Sequence, residues 1–111
     1  MKEKVILIQS EGLGRDDKQL GSLLMANFLR LLGESKDKPG SLVFWNEGVK
    51  LICKESSVLE HVRRLEEQGV EVLACTTCLE YFDLVEKLAV GKPTTMHDSI
   101  ESILSCEVVS L

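Results

Sequence analysis

Two cysteines three positions apart, Cys75 and Cys78, are the side chains of this sequence best suited to chemistry. They flank Thr76 and Thr77 and follow the apolar run Val72-Leu73-Ala74. Cys75 is expected to leave a buried strand, and Cys78 to lie near the first turn of a helix. Unpaired backbone N–H groups at a helix start favour a thiolate, the form of cysteine that attacks electrophiles. The effect is modest, about 0.3–1 kcal/mol at an exposed site and less than one pKa unit. Direct N–H bonds to sulfur, or a cation such as Arg15, Lys50 or His97, must supply the rest, whereas Glu71 and Glu80 would oppose it if they point inward. On this reading Cys75 faces the helix amides and alkylates faster than Cys53 or Cys106. The competing reading takes both cysteines as small buried hydrophobes, a common fate of free cysteine.

Other chemistries fit less well. One Cys-x-x-Cys supplies two zinc ligands, and a closed site needs a second close-spaced pair. Cys53, Cys106, His61 and His97 lie singly and far apart, so no metal is expected. A thioredoxin-like dithiol would place the pair after an early strand and opposite a cis-proline. Here the pair comes late, and Pro93 follows Lys92 in a turn-like stretch. Gly12-Leu13-Gly14 resembles the start of a dinucleotide fingerprint, but the third glycine is missing and Asp16-Asp17 stand where phosphate would sit. A tight turn and a helix cap account for it, and no cofactor is expected. Asn46 and Gly48 read first as a turn, and His61 as a solvated helix residue.

The elements that must position the thiols alternate. Short apolar runs predict strands over 5–8, 42–45, 70–74, 94–96 and 107–109. A first helix, capped by Asp16 or Asp17, runs to about Leu32 and stops at Gly33. Residues 48–53 form a helical turn, and Ser57 with Glu60 makes a capping box for a helix whose apolar face is Val58, Leu59, Val62 and Leu65, ending at Gly69. A further helix spans about Cys78 to Leu88, closed by Gly91, and the last begins between Asp98 and Glu101. The alternation predicts one α/β domain over residues 1–111, with a mostly parallel sheet of about five strands and helices on both faces. It leaves the strand order open.

Ligands of open parallel sheets bind beyond the carboxyl ends of the strands. The segments leaving those ends carry Gly12, Gly14, Arg15, Asn46, Gly48, Lys50, Thr76, Thr77 and His97, the expected lining of a pocket around Cys75 and Cys78.

Composition narrows the partners. The net charge is −5, with 13 basic residues scattered among 18 acidic ones, which argues against nucleic acid. No apolar stretch has the length of a membrane span, and none reads as a signal peptide. Four cysteines without an export signal are expected to be reduced thiols in the cytoplasm. The first helix is apolar almost all round, through Leu20, Leu23, Leu24, Met25, Phe28, Leu29, Leu31 and Leu32. It must be buried on more than one side, against another subunit or deep within the monomer.

Several segments in order along the chain carry a family resemblance. They are Ser10 through Gly14 with Asp16-Asp17 and Leu20-Gly21, then Phe44-Trp45-Asn46-Glu47-Gly48-Val49-Lys50-Leu51. Leu65-Glu66-Glu67-Gln68-Gly69-Val70-Glu71-Val72-Leu73, Cys75-Thr76-Thr77-Cys78-Leu79 and Leu88-Ala89-Val90-Gly91 complete them. The sequence resembles the DsrE/DsrF-like sulfur-relay family, and more narrowly the carboxy-terminal domain of YedF-type proteins, which are sulfurtransferase-like and linked to selenium metabolism. The resemblance implies a three-layer α/β/α fold, a homo-oligomer, and a persulfide carried on the cysteine matching Cys75. Cys78 matches the second cysteine of the YedF-like subgroup and would act as resolving thiol. YedF-type chains carry an amino-terminal sulfur-carrier domain, which this sequence lacks, so the sulfur donor is expected to be a separate protein. A non-enzymatic oligomeric binding module with a small-ligand pocket at this rim, and a Cys75–Cys78 redox sensor, are the alternatives.

Overall fold

Aliphatic runs bounded by turn residues become five strands: β1 (Lys4–Ile8), β2 (Ser41–Phe44), β3 (Glu71–Cys75), β4 (Lys92–Thr94) and β5 (Glu107–Ser110). The computed structural model describes residues 3–111. All four pairings are parallel, in the order β4-β3-β2-β1-β5. The register sets Ile8 beside Phe44, Phe44 beside Ala74, and Cys75 beside Thr94, so the strand ends form one rim.

Side chains alternate across the sheet. Ile6, Ile8, Leu42, Phe44, Val72 and Ala74 enter the larger core cluster, and Val5, Leu7 and Val43 form a smaller one on the opposite face. From β1 to β4 the chain steps across the sheet in one direction. Right-handed crossovers therefore put α1 (Lys18–Glu34), α2 (Leu59–Glu67) and α3 (Thr76–Tyr81) on one face. The return from β4 to β5 beside β1 reverses direction, which sends α4 (Met96–Ser105) to the other. The result is the three-layer α/β/α arrangement expected, with a sheet that is parallel throughout.

Local chemistry sets the helix ends. Asp17 caps α1, its Oδ1 accepting the Leu20 N–H at 2.9 Å. The two glycines of the resemblance bring loop and helix together: a Cβ on Gly12 would lie 2.9 Å from the Gly21 carbonyl carbon, while the Leu13 N–H donates to the Gly21 oxygen at 3.0 Å. That contact accounts for Gly12 without any phosphate.

Four sequence expectations are corrected. Gly33 does not stop α1; it lies inside the helix, buried, where an added Cβ would meet the Arg64 side chain of α2 at 3.5 Å. The Ser57–Glu60 capping box does not form, because α2 starts later, at Leu59, with Val58 at the N-cap position making no side-chain capping bond and Ser56 Oγ accepting the Val58 N–H. The helix expected from Cys78 to Leu88 is divided: α3 ends at Tyr81, Asp83 takes a left-handed φ of 57°, and a separate short turn follows at Val85–Lys87. The Leu84 N–H reaches back to the Leu79 oxygen at 2.8 Å and closes α3 there. Finally, α4 begins before Asp98, with Thr95 Oγ1 accepting the Asp98 N–H at 3.1 Å.

Candidate functional site

Cys75 is both the last residue of β3 and the N-cap of α3. Its partner in register, Thr94, is bound from the same junction, since Thr76 Oγ1 donates to the Thr94 carbonyl at 2.8 Å. This bond ties the start of α3 to the edge strand. Cys75 is only 2% exposed and makes no side-chain capping bond to the amides of α3. The expectation that it faces those amides is corrected: its thiol turns into the core, so access limits its reaction with any reagent.

Cys78 receives the amide instead, and from a different element. The Asn46 N–H, in the turn between β2 and the 3-10 helix Asn46–Ile52, donates to Cys78 Sγ at 3.0 Å. Cys78 is partly exposed, with the Cys75 side chain as a neighbour. Burial pushes the Cys78 thiol up, the neighbouring Cys75 adds to that, and the Asn46 amide pulls the other way. The net direction is upward, which favours the neutral thiol of Cys78. All four cysteines are free.

The remaining rim residues divide among several places. Gly12, Gly14 and Arg15 line a cavity of about 370 Å³ with Glu11, Asp17 and Glu47. Lys50 lines a second, of about 360 Å³, with Glu11, Cys53, Lys54 and Phe82. Neither is lined by Cys75 or Cys78. Lys50 lies 3.5 Å from Glu47 and 4.6 Å above the Phe82 ring, so its charge is engaged by those two side chains. Gly48 is buried, and a Cβ there would collide with the Ile8 carbonyl oxygen; it serves the turn and leaves no room for a ligand. Thr77 is exposed, as is His97, which pairs with Glu101 on α4 at 3.6 Å. Glu80 is exposed and Glu71 is drawn to Lys92 at 3.3 Å.

Sequence reasoning grouped Asn46 with the rim but could not see its amide on Cys78, because that contact spans 32 positions. The one local signal is the residue type, since asparagine tolerates the left-handed φ of 52° found there. Glu11, which lines both cavities, carried no signal at all. Among the described residues, no cluster of three or more His, Cys, Asp or Glu could hold a metal ion, and no helix is long and apolar enough to cross a membrane.

Comparison with known proteins places this geometry among relatives. The model of the DsrE/DsrF-like family matches residues 3–110. No curated protein matches the chain. Among solved structures, the ychN protein from E. coli superposes with a TM-score of 0.75 at 17% identity, over 100% of both chains. MTH1491 from Methanobacterium thermoautotrophicum, a protein of unknown function, gives 0.71 at 19% identity over 100% of both. BT1422 from Bacteroides thetaiotaomicron, also of unknown function, gives 0.64 at 16% identity, covering 98% of this chain and 95% of its own. At such identities these likenesses establish the fold.

Proposed function

We propose that this chain, which belongs to the DsrE/DsrF-like family, relays sulfur through the paired thiols at the end of β3. The family is associated with sulfur relay, and the observation that carries the reading to this chain is the placement of both cysteines at one junction, Cys75 as the N-cap of α3 and Cys78 in its first turn. A donor persulfide brings its outer sulfur to Cys75. The Cys75 thiolate attacks that sulfur, the donor's S–S bond breaks, and the donor leaves as a thiol after taking up the proton. Cys78, as a proton donor beside Cys75, stabilises the anionic sulfur that attacks and the persulfide that results. The burial of Cys75 shields that persulfide from water and from stray thiols.

The segments shared with YedF-type proteins, including the second cysteine, support kinship with their carboxy-terminal domain, and selenium would follow the same route. Reduced thiols suit the cytoplasm. Leu20, Leu23, Leu24 and Leu31 stand exposed on α1 and support a homo-oligomer in which a neighbouring copy covers them.

The nearness of the two sulfurs also favours a second reading, a redox pair that closes as a disulfide. Intact-mass measurement after treatment with a small persulfide donor separates the readings. Gain of one sulfur atom on Cys75 supports relay. Loss of two hydrogens alone supports the redox sensor, and an unchanged mass leaves a binding module.

A further inference from the structure

We propose that the backbone N–H of Asn46 positions Cys78 for its attack on the sulfur carried by Cys75, an inference that rests on the persulfide reading above. The turn around this amide is pinned on both sides. The Trp45 N–H donates to the Ile8 carbonyl at 3.0 Å, and the Gly48 N–H to the Trp45 carbonyl at 2.9 Å. Gly48 lacks a Cβ where one would strike Ile8 O, so the turn sits directly on the end of β1. Between these anchors Asn46 takes a φ of 52°, and its N–H meets Cys78 Sγ at 3.0 Å. Cys78 Sγ therefore has one fixed donor in Asn46, and it lies in the first turn of the helix that Cys75 caps.

In the discharge step Cys78 Sγ gives up its proton and attacks the inner sulfur of the Cys75 persulfide. The Cys75–Cys78 disulfide forms, the bond to the outer sulfur breaks, and that sulfur leaves as hydrogen sulfide with the bonding pair and the proton. Negative charge must gather on Cys78 Sγ before the new bond forms. A donor already aimed at that atom stabilises the charge without reorganising. Among the described residues, no cation takes this part. On the 3-10 helix Glu47 and Lys50 pair with each other, and on β3 Glu71 pairs with Lys92. Glu80 and Tyr81 on α3, and Glu86 and Lys87 in the short turn after it, are exposed. Cys75 and burial hold the Cys78 proton on, and Asn46 is the contact from another element that eases it off.

The test is site-resolved alkylation of the full chain against pH, read by peptide mass in Asn46→Val and Asn46→Gly. A β-branched residue cannot hold the left-handed φ, so Asn46→Val withdraws the amide, while Asn46→Gly retains it. The Cys78 midpoint is expected to rise by about one unit in Asn46→Val, the tenfold change that one hydrogen bond to a charged group supplies. Asn46→Gly restores the wild-type midpoint, and Cys106 serves as internal control in both. Persulfide discharge slows roughly tenfold in Asn46→Val alone, by the same conversion. An unmoved Cys78 midpoint in Asn46→Val, or an equal rise in Asn46→Gly, overturns the inference. If Asn46→Val does not fold, Asn46→Ala carries the same comparison with less strain. The alkylation profile needs no persulfide, so a shifted profile in a protein that never loads sulfur supports the Asn46 contact and overturns the relay reading instead.

Discussion

A thiol is defined by what can reach it and by what accepts its proton, and the four cysteines here differ on both counts. Cys75 is enclosed, whereas Cys78, in the first turn of the helix that Cys75 caps, is partly open to solvent. Cys75→Ser should therefore abolish persulfide loading, whereas Cys78→Ser should load and then discharge slowly, because intramolecular attack is lost. Such proximity is worth several kcal/mol when the groups are well oriented, roughly 7 at the low end of ideal cases. Time-resolved mass spectrometry reads both steps, and reversed behaviour of the two variants would exchange their roles. Cys53 presents the opposite case. It is 2% exposed, its thiol donates to the Val49 carbonyl at 3.2 Å, and burial pushes its pKa up. Its neutral form is favoured in the fold, so its stabilising contribution is complete below the unfolded-state pKa. That contribution is lost as pH rises through the higher folded-state value. Chemical denaturation across the alkaline range should show stability declining in the wild type and a shallower decline in Cys53→Ala, which costs about 1 kcal/mol at neutral pH.

Elements turn these residues toward one another, and the turn from β2 into the 3-10 helix does most of it. Gly48→Ala would drive a methyl group into the Ile8 carbonyl, and overpacking of this kind costs about 1–3 kcal/mol. The urea midpoint should fall accordingly; a midpoint equal to wild type would show that the turn yields freely. At the far side of the site, α3 is held by Thr76 on Thr94 and α4 by its Thr95 cap. Thr95→Ala should cost about 1 kcal/mol, as cap removals do, and should leave persulfide loading as it was. The shortness of α3 matters too. Its closure at Leu84, with Asp83 left-handed, returns the chain toward the core and keeps the Lys50–Phe82 contact beside the rim.

At the scale of the molecule, the sheet order gathers all strand ends carrying the site into one rim and leaves α1 on the outside of its layer. Met25 and Leu29 fill the core from one side of α1, while Leu20, Leu23, Leu24 and Leu31 remain 43–58% exposed on the other. Full burial of a leucine is worth about 1.5–3 kcal/mol, so covering four of them drives association strongly. Light scattering at micromolar concentration should find an oligomer, and Leu24→Glu should shift it toward monomer without unfolding the chain. A wild-type monomer would refute the interface.

The sequence by itself determined the alternation of strands and helices, because periodicity and glycine placement are local and the buried strands read as unbroken aliphatic runs. It also made the thiol pair visible, because a three-residue spacing is local as well. Boundaries were less legible where tertiary contacts overrode local signals, as at Gly33, kept helical by packing against Arg64, and at Asp83, where backbone closure ends α3 early. Only the tertiary structure decided the strand order, the burial of Cys75 and the delivery of the Asn46 amide to Cys78. The reason is physical. Burial and hydrogen bonding between residues 32 apart depend on how two loops leave adjacent strands, and adjacency in a sheet is settled by crossover packing that no local pattern encodes.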